Sequence, residues 1–198
     1  MTASRQPSPF LIRPAVLDDA MDIAEIHYLG WKHAYAGVVN EAQIAAKQPE
    51  QRLDYWKHKM TAPENLVLVG SETPEGPLLG FIYGGPVLPH EILAELPGAP
   101  RLKDFDCEIN IVHCRHAVQG RGLGRALIAA IAHHWQVGGR RAPMLWAFRD
   151  NDYRRLYDKL GGEVFAEGVD EGAPDVAYGW RDLGKLIAAC APAQHGGV

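Results

Sequence analysis

A short segment that begins at Gln119 has the residue types of an anion-binding loop. It combines three glycines at alternate positions with two arginines: Gly120, Arg121, Gly122, Gly124 and Arg125. A strand-like run ends just before this loop, and an amphipathic helical pattern starts within it. The unpaired amides of a helix start and the positive end of its dipole attract anions, and arginine side chains suit phosphate oxygens. The segment is therefore predicted to hold a pyrophosphate.

The glycine spacing indicates which class of pyrophosphate-containing ligand the loop would bind. A dinucleotide-binding loop needs Gly-x-Gly-x-x-Gly and an acidic residue about 20 positions further on. Here Arg125 stands where the third glycine should fall, and the region around Gly139 and Arg140 carries no acid. A phosphate loop of the Walker type ends in Gly-Lys-Ser/Thr, which is also absent. A nicotinamide-dependent enzyme is therefore disfavoured.

The remaining pattern, Gln119-x-x-Gly122-x-Gly124, resembles the acyl-CoA signature of the GCN5-related N-acetyltransferases. The segment from Asn151 to Gly161, with Tyr157 inside it, is similar to the asparagine, tyrosine and glycine block of that family. The family's asparagine stands six or seven residues before the tyrosine, so Asn151 or Asp150 fills its position. With weaker similarities around Trp31 and Trp180, the resemblance covers about residues 11–186.

The resemblance implies a fold and a reaction. The fold is of the α/β (α+β) class, with a mixed, mostly antiparallel central sheet flanked by helices. The reaction is transfer of the acetyl group of acetyl-CoA (coenzyme A), as co-substrate, to a primary amine by direct attack. No metal is implied. A catalytically silent acyl-CoA-binding sensor is the alternative from another class, and it would have lost the catalytic acid or base.

The resemblance also assigns residues to the cofactor. Main-chain amides at the end of the central strand would polarise the thioester carbonyl, an oxyanion-type stabilisation. The glycine loop would hold the pyrophosphate, and the later block would complete the site. The predicted cofactor-binding residues are Val112, His113, Cys114, Gln119, Gly120, Arg121, Gly122, Leu123, Gly124, Arg125, Asn151 and Tyr157.

Two catalytic roles follow from the chemistry. A lysine-like amine has a pKa near 10.4, so only about one molecule in 2,500 is neutral at pH 7, and a base must remove its proton. Glu108, on the central strand, is the candidate base, with His113 second and a water chain left open. The leaving thiolate must gain a proton, and Tyr157 occupies the family's position for that acid.

The acceptor is expected to be a small-molecule or peptide amine. Trp31 and Tyr35 are candidate residues of its site, because the family builds that site from the first two helices. An acidic cluster weakly favours a cationic acceptor: Glu91, Glu95, Asp104, Asp106 and Glu108. Since family members often form dimers, a homodimer is the default expectation.

The composition narrows the function classes further. A net charge of −4 does not favour general nucleic-acid binding, and no apolar run approaches the roughly 20 residues of a membrane span. The odd number of cysteines, 3, predicts a reducing cytoplasm and no disulfide framework. His113, Cys114 and His116 do not make up the ligand set of a zinc site.

Hydrophobic periodicity predicts the elements that position these residues. The expected order is a strand, two helices, three strands, a helix, a strand, a helix and two strands. The segment 84–101 is predicted as a loop with one helical turn at 90–96. On the central strand, Ile109 and Ile111 are expected on one face and Glu108 on the other. One domain is expected over residues 10–187, between a disordered tail at 1–9 and a C-terminal tail at 188–198.

Overall fold

The computed structural model describes residues 9–90, 92–97 and 99–191. Within them the strands are β1 (Leu11–Pro14), β2 (Leu66–Ser71), β3 (Gly80–Gly85), β4 (Ile92–Glu95), β5 (Cys107–Cys114), β6 (Pro143–Phe148), β7 (Glu163–Asp170) and β8 (Ala173–Gly179). The α-helices are α1 (Ala20–Ala34), α2 (Glu41–Ala45), α3 (Pro49–Thr61), α4 (Leu123–Val137), α5 (Arg155–Lys159) and α6 (Leu183–Cys190).

All eight strands form one sheet in the order β1-β2-β3-β5-β6-β8-β7-β4. Every neighbouring pair is antiparallel except β5 and β6, which are parallel. The predicted fold class, a mixed and mostly antiparallel sheet flanked by helices, is therefore confirmed.

The parallel pair in the middle of the sheet separates along its length. β5 and β6 are paired from Cys107 to Ile109 only, although β5 continues to Cys114 and β6 to Phe148. Beyond Ile109 the two strands diverge while each keeps its other neighbour. The sheet therefore opens into a cleft at its centre.

A β-bulge on β5 changes which residues face the cleft. Tyr83 pairs with Ile111 and Gly84 with Ile109, so Asn110 has no partner on β3. An extra residue in a strand reverses the alternation that follows it. Ile109 and Val112 consequently pack on the core beneath α4, whereas Ile111 packs against the α1 and α3 side. The expectation that Ile109 and Ile111 share a face is wrong for this reason.

The helices cover the two faces of the sheet differently. Helix α4 buries one apolar stripe, including Leu127 and Ile131, in the largest core cluster. On the other face, Ile23 of α1 and Trp56 of α3 pack over β2 and β3. None of the helices in the described part of the chain is long and apolar enough to cross a membrane.

Two boundaries predicted from the sequence are wrong. Residues 92–95 form strand β4, not a helical turn, because Ile92 pairs with Gly168 at the edge of β7, a contact that local propensity does not reveal. The predicted tail from residue 188 begins later, because α6 continues to the buried Cys190. Residues 1–8 and 192–198, where the tails are expected, lie outside the described residues.

Candidate active site

The glycine loop forms a tight turn directly before helix α4. Gly120 (φ 75°) and Gly122 (φ 94°) lie in the left-handed region, which favours glycine. Gly122 is the residue that begins α4, and the first helical hydrogen bond runs from the Ala126 amide to the Gly122 carbonyl. The amides before Ala126 therefore have no acceptor inside the helix. Apart from the adjoining residues of the chain, no atom of the described residues lies within 4 Å of where a Cβ would stand at Gly120 or Gly122, so the loop is open on that side.

The two arginine side chains of this loop have partners away from it. Arg121 forms an ion pair with Glu72, and Arg125 donates a hydrogen bond to the Ala189 carbonyl at 3.2 Å. In this structure the anion-binding groups of the loop are therefore its main-chain donors rather than guanidinium groups.

The divergence of β5 and β6 exposes main-chain donors. The Arg115 amide, directly after β5, donates to the Leu79 carbonyl at 2.7 Å and therefore points to the β3 side. Successive amides of a strand point alternately to its two neighbouring strands. The amides of Val112 and Cys114 consequently point to the opposite edge, toward the cleft, whereas that of His113 points to β3. Of the three strand residues predicted to polarise a carbonyl, Val112 and Cys114 have amides in the right direction.

A cavity of about 640 Å³ lies beside this cleft on the α1 and α3 side of the sheet. It is lined by β5 from Glu108 to His113, by β6 from Leu145 to Phe148, and by side chains from α1, α3 and the β7–β8 hairpin. Asn151 and Tyr157 also line it, so the cavity reaches from the acceptor side through to the predicted catalytic acid.

Tyr157 and Asn151 are held at this end by the turn that follows β6. Asn151 is buried, and its side chain accepts a hydrogen bond from the Tyr153 amide at 2.9 Å, which fixes the start of the segment carrying Tyr157. The Tyr153 hydroxyl donates to Gln119 at 3.1 Å, so the glycine loop and this turn are joined. Asp150, the alternative to Asn151, is exposed and outside the cavity lining.

Burial sets the protonation state of the groups around Tyr157. It raises the pKa of the Tyr157 hydroxyl above its usual value, so this residue keeps its proton at neutral pH. It raises the pKa of the Cys114 thiol to about 12, which removes this cysteine as a nucleophile. It lowers the pKa of His113 to about 4, so that ring is neutral.

The predicted base, Glu108, is buried and already hydrogen-bonded. Its carboxylate accepts the Leu88 amide at 2.9 Å, and both of its oxygens lie 2.9 Å from His90 Nε2. His90 lines the cavity beside Trp146, with ring centroids 5.1 Å apart. Sequence reasoning missed His90 as a site residue, because the loop that carries it folds back over β5 only in three dimensions.

The aromatic residues predicted for the acceptor site line the cavity. The rings of Trp31 and Tyr35 pack edge to face with their centroids 4.9 Å apart. Tyr35 packs in the same way on Phe148, with centroids 4.8 Å apart. Burial, with a smaller contribution from Asp170, raises the pKa of Tyr35 to about 12.

Of the acidic cluster predicted near the acceptor, Glu108 lines the cavity. Asp104 accepts the Arg101 amide, and Asp106 accepts the amides of Arg141 and Ala142 just before β6; neither aspartate lines the cavity. Glu91 lies outside the described residues. The cavity also contains acids from the β7–β8 hairpin and bases from α3 and from the segment between α2 and α3: Lys47, Arg52, Lys59, Asp170, Glu171 and Asp175.

This combination of open strand edge, glycine loop and cavity is that of an acyltransferase of the acyl-CoA type, and comparisons with known proteins agree. A family model described as FR47-like protein matches residues 96–169. The chain is 25% identical over 179 residues to the uncharacterized N-acetyltransferase YuaI of Bacillus subtilis, covering 88% of this chain and 95% of that protein. It is 35% identical over 106 residues to mycothiol acetyltransferase of Gordonia bronchialis, covering 52% of this chain and 32% of that protein.

Solved structures share the fold at low identity. The PaiA N-acetyltransferase of Thermoplasma acidophilum in complex with coenzyme A matches with a TM-score of 0.63 and 18% identity, over 86% of this chain and 99% of that one. YncA of Salmonella typhimurium, a putative acetyltransferase with acetyl-CoA, matches with a TM-score of 0.60 and 22% identity, over 87% and 93%. In sequence and fold the chain is therefore similar to GCN5-related N-acetyltransferases.

Proposed function

We propose that this protein transfers the acetyl group of acetyl-CoA to a primary amine of a small molecule or peptide by direct attack. The observation that carries the proposal is the open edge of β5. Its Val112 and Cys114 amides point into the cleft that β6 leaves, with the glycine loop following the strand and the cavity of about 640 Å³ beside it.

Acetyl-CoA fits this arrangement part by part. The amides at the start of α4 suit its pyrophosphate, and the amides on β5 suit the thioester oxygen, on which negative charge develops during attack. The protonated thiol of Cys114 favours direct attack over a route through an acetylated cysteine. The proposed cofactor-binding residues remain those at 112–114 and 119–125, with Asn151 and Tyr157.

Tyr157 is the proposed acid. Its hydroxyl holds a proton at neutral pH. The departing thiolate of coenzyme A must gain a proton, since an ordinary thiol has a pKa near 8.5. We assign base function to Glu108 together with His90, because both residues line the cavity and the Glu108 oxygens are already hydrogen-bonded to the His90 ring. Proton removal then passes through the His90 ring, which Glu108 orients.

The test is release of free thiol from acetyl-CoA with a panel of primary amines, with mass spectrometry of the acetylated product. Thermal shifts with acetyl-CoA and with NAD are compared in parallel. Stabilisation by acetyl-CoA alone together with amine-dependent thiol release supports the proposal. Stabilisation without thiol release from any amine indicates the silent sensor, and stabilisation by NAD instead overturns the assignment.

A further inference from the structure

The cavity contains buried polar groups that the protein itself does not satisfy. In the described part of the chain, six buried side-chain nitrogen or oxygen atoms lack a hydrogen-bond partner. Five of them belong to residues that line this cavity: His27, Arg52, Asn110, Trp146 and Asp175. An unpaired buried polar atom costs stability, so the residues around this cavity carry polar groups that packing inside the protein leaves unsatisfied.

The cations left without a carboxylate partner lie on one wall. Arg52 and Lys59, seven residues apart on α3, line the cavity, and neither forms an ion pair among the residues that the structure describes. The Arg52 guanidinium stacks 3.7 Å from the Tyr55 ring centre, which leaves its buried Nε without an acceptor. The Lys59 ammonium lies 5.4 Å and 5.5 Å from the rings of Tyr55 and Tyr83.

The carboxylates left without a cation lie on the other half of the sheet. Within the described ranges Lys47 pairs with Glu171 at 2.9 Å and His90 with Glu108, but Asp170 and Asp175 have no ion-pair partner. Asp175 is 5% exposed and its Oδ1 has no hydrogen-bond donor. Both aspartates belong to the β7–β8 hairpin, whereas α3 packs over β2 on the far side of the cleft.

We propose that the acceptor is a free amino acid, whose ammonium binds at Asp175 beside Asp170 and whose carboxylate binds Arg52 and Lys59. Two unpaired positive charges face two unpaired negative charges across one cavity, which matches a zwitterion better than a simple cation such as a polyamine. The guanidinium also has the fork geometry that recognises a carboxylate. This inference rests on the proposed function, since it names the substrate class of the same site.

Paired acceptors that differ only in the carboxylate provide the test. The assay measures release of free thiol from acetyl-CoA. L-phenylalanine, L-methionine and L-lysine are each compared with the corresponding decarboxylated amine, which is 2-phenylethylamine, 3-(methylthio)propylamine or 1,5-diaminopentane. Each amino acid is also compared with its own methyl ester. For at least one pair we expect kcat/KM for the amino acid to exceed that for the decarboxylated amine by about 100-fold, since a site built for a polar group rejects an analogue that lacks it.

Variants separate the two ends of the ligand. Arg52→Met should bring the ratio between amino acid and decarboxylated amine to within about threefold, whereas Arg181→Met, which changes an exposed arginine paired with Glu163, should leave the ratio unchanged. Asp175→Asn should raise KM about tenfold for both members of a pair and keep the ratio.

Binding is followed separately by the thermal shift that each compound causes in the presence of coenzyme A. Equal turnover of amino acid and decarboxylated amine by the unmodified protein, or an unchanged ratio in Arg52→Met, would overturn the inference and leave the transferase function standing. An Arg52-dependent thermal shift by an amino acid without thiol release from any compound would support the site and refute the proposed function. No shift and no turnover with any amino acid would also overturn the inference.

Discussion

Burial controls the chemistry of single residues in this cavity more than charge does. Burial is the largest cause of the raised pKa of Tyr157 and Cys114 and of the lowered pKa of His113. At neutral pH these three groups are uncharged. The sequence showed Tyr157 through a family block, but no local pattern reveals how deeply a side chain is buried.

Replacing Tyr157 by phenylalanine tests the proposed acid. We expect kcat to fall about 100-fold, within the usual range for general acid catalysis, while KM for acetyl-CoA changes less than threefold. Tyr28→Phe is the matched control, because the Tyr28 hydroxyl only accepts a 3.4 Å hydrogen bond from Gln48 outside the cavity. Steady-state thiol release measures both, and full activity of Tyr157→Phe would remove the acid role.

Glu108 and His90 are predicted to act as one unit. Glu108→Gln and His90→Gln should each lower kcat by about 10- to 100-fold, and the double variant should be little worse than either one, because groups that act together are not additive. His133→Gln, on the exposed face of α4, is the control. If the fold decrease in kcat of the double variant equalled the product of the two single decreases, the two residues would act independently.

The burial of Asp175 should make the free energy of unfolding depend on pH. Burial, then the charge of Asp170, raises its pKa from 3.8 to about 6, so ionising it destabilises the folded state. The penalty is absent below about pH 4, grows through pH 6 and is complete above it. Asp175→Asn should therefore raise the free energy of unfolding by about 1–2 kcal/mol at pH 7.5.

Urea unfolding at pH 7.5 and pH 4.5 measures this effect as a difference between variant and unmodified protein. The gain should shrink on acidification, and the exposed Asp54→Asn should show little gain at either pH. A gain of the same size at both pH values would contradict the account.

At the level of secondary-structure elements, α1 and β5 approach closely at one point. A Cβ on Gly30 of α1 would lie 2.3 Å from His113 Nδ1 and 2.6 Å from its Cγ. The glycine therefore makes room for the His113 ring on the cavity face, which the bulge at Asn110 has turned toward α1. The sequence predicted both elements, but not this contact.

Gly30→Ala tests the contact. Alanine favours a helix over glycine by about 1 kcal/mol, yet overpacking costs about 1–3 kcal/mol, so we expect a net loss of stability. In the His113→Ala background the same change should stabilise the protein instead. Urea unfolding of the four proteins measures this coupling, and a stabilising Gly30→Ala change in the unmodified protein would show that the ring moves freely.

For the whole molecule, sequence separation explains what could be predicted. The glycine loop and the turn from Asn151 to Tyr157 are local patterns, so the elements that carry them could be predicted from the sequence. The acids at Asp170 and Asp175 reach the cavity only through the pairing of β7 with β8 and of β8 with β6. Arg52 reaches it only because α3 packs on the other half of the sheet. Long-range pairing of this kind leaves no signal in one sequence.

The central claim is that the main-chain donors at the start of α4 bind the pyrophosphate of acetyl-CoA. A direct test compares two glycines at opposite ends of α4. Gly122 (φ 94°) and Gly139 (φ 83°) are both left-handed, and both have empty space where a Cβ would stand. Alanine at either position should therefore cause similar backbone strain, about 1 kcal/mol.

Calorimetric titration with acetyl-CoA of the unmodified protein, Gly122→Ala and Gly139→Ala is the measurement that tests this claim most directly. We predict that Kd rises about tenfold or more in Gly122→Ala and stays within twofold in Gly139→Ala, while urea unfolding shows similar stability losses for both. Equal affinity in Gly122→Ala and the unmodified protein, or no binding of acetyl-CoA to the unmodified protein, would contradict the account.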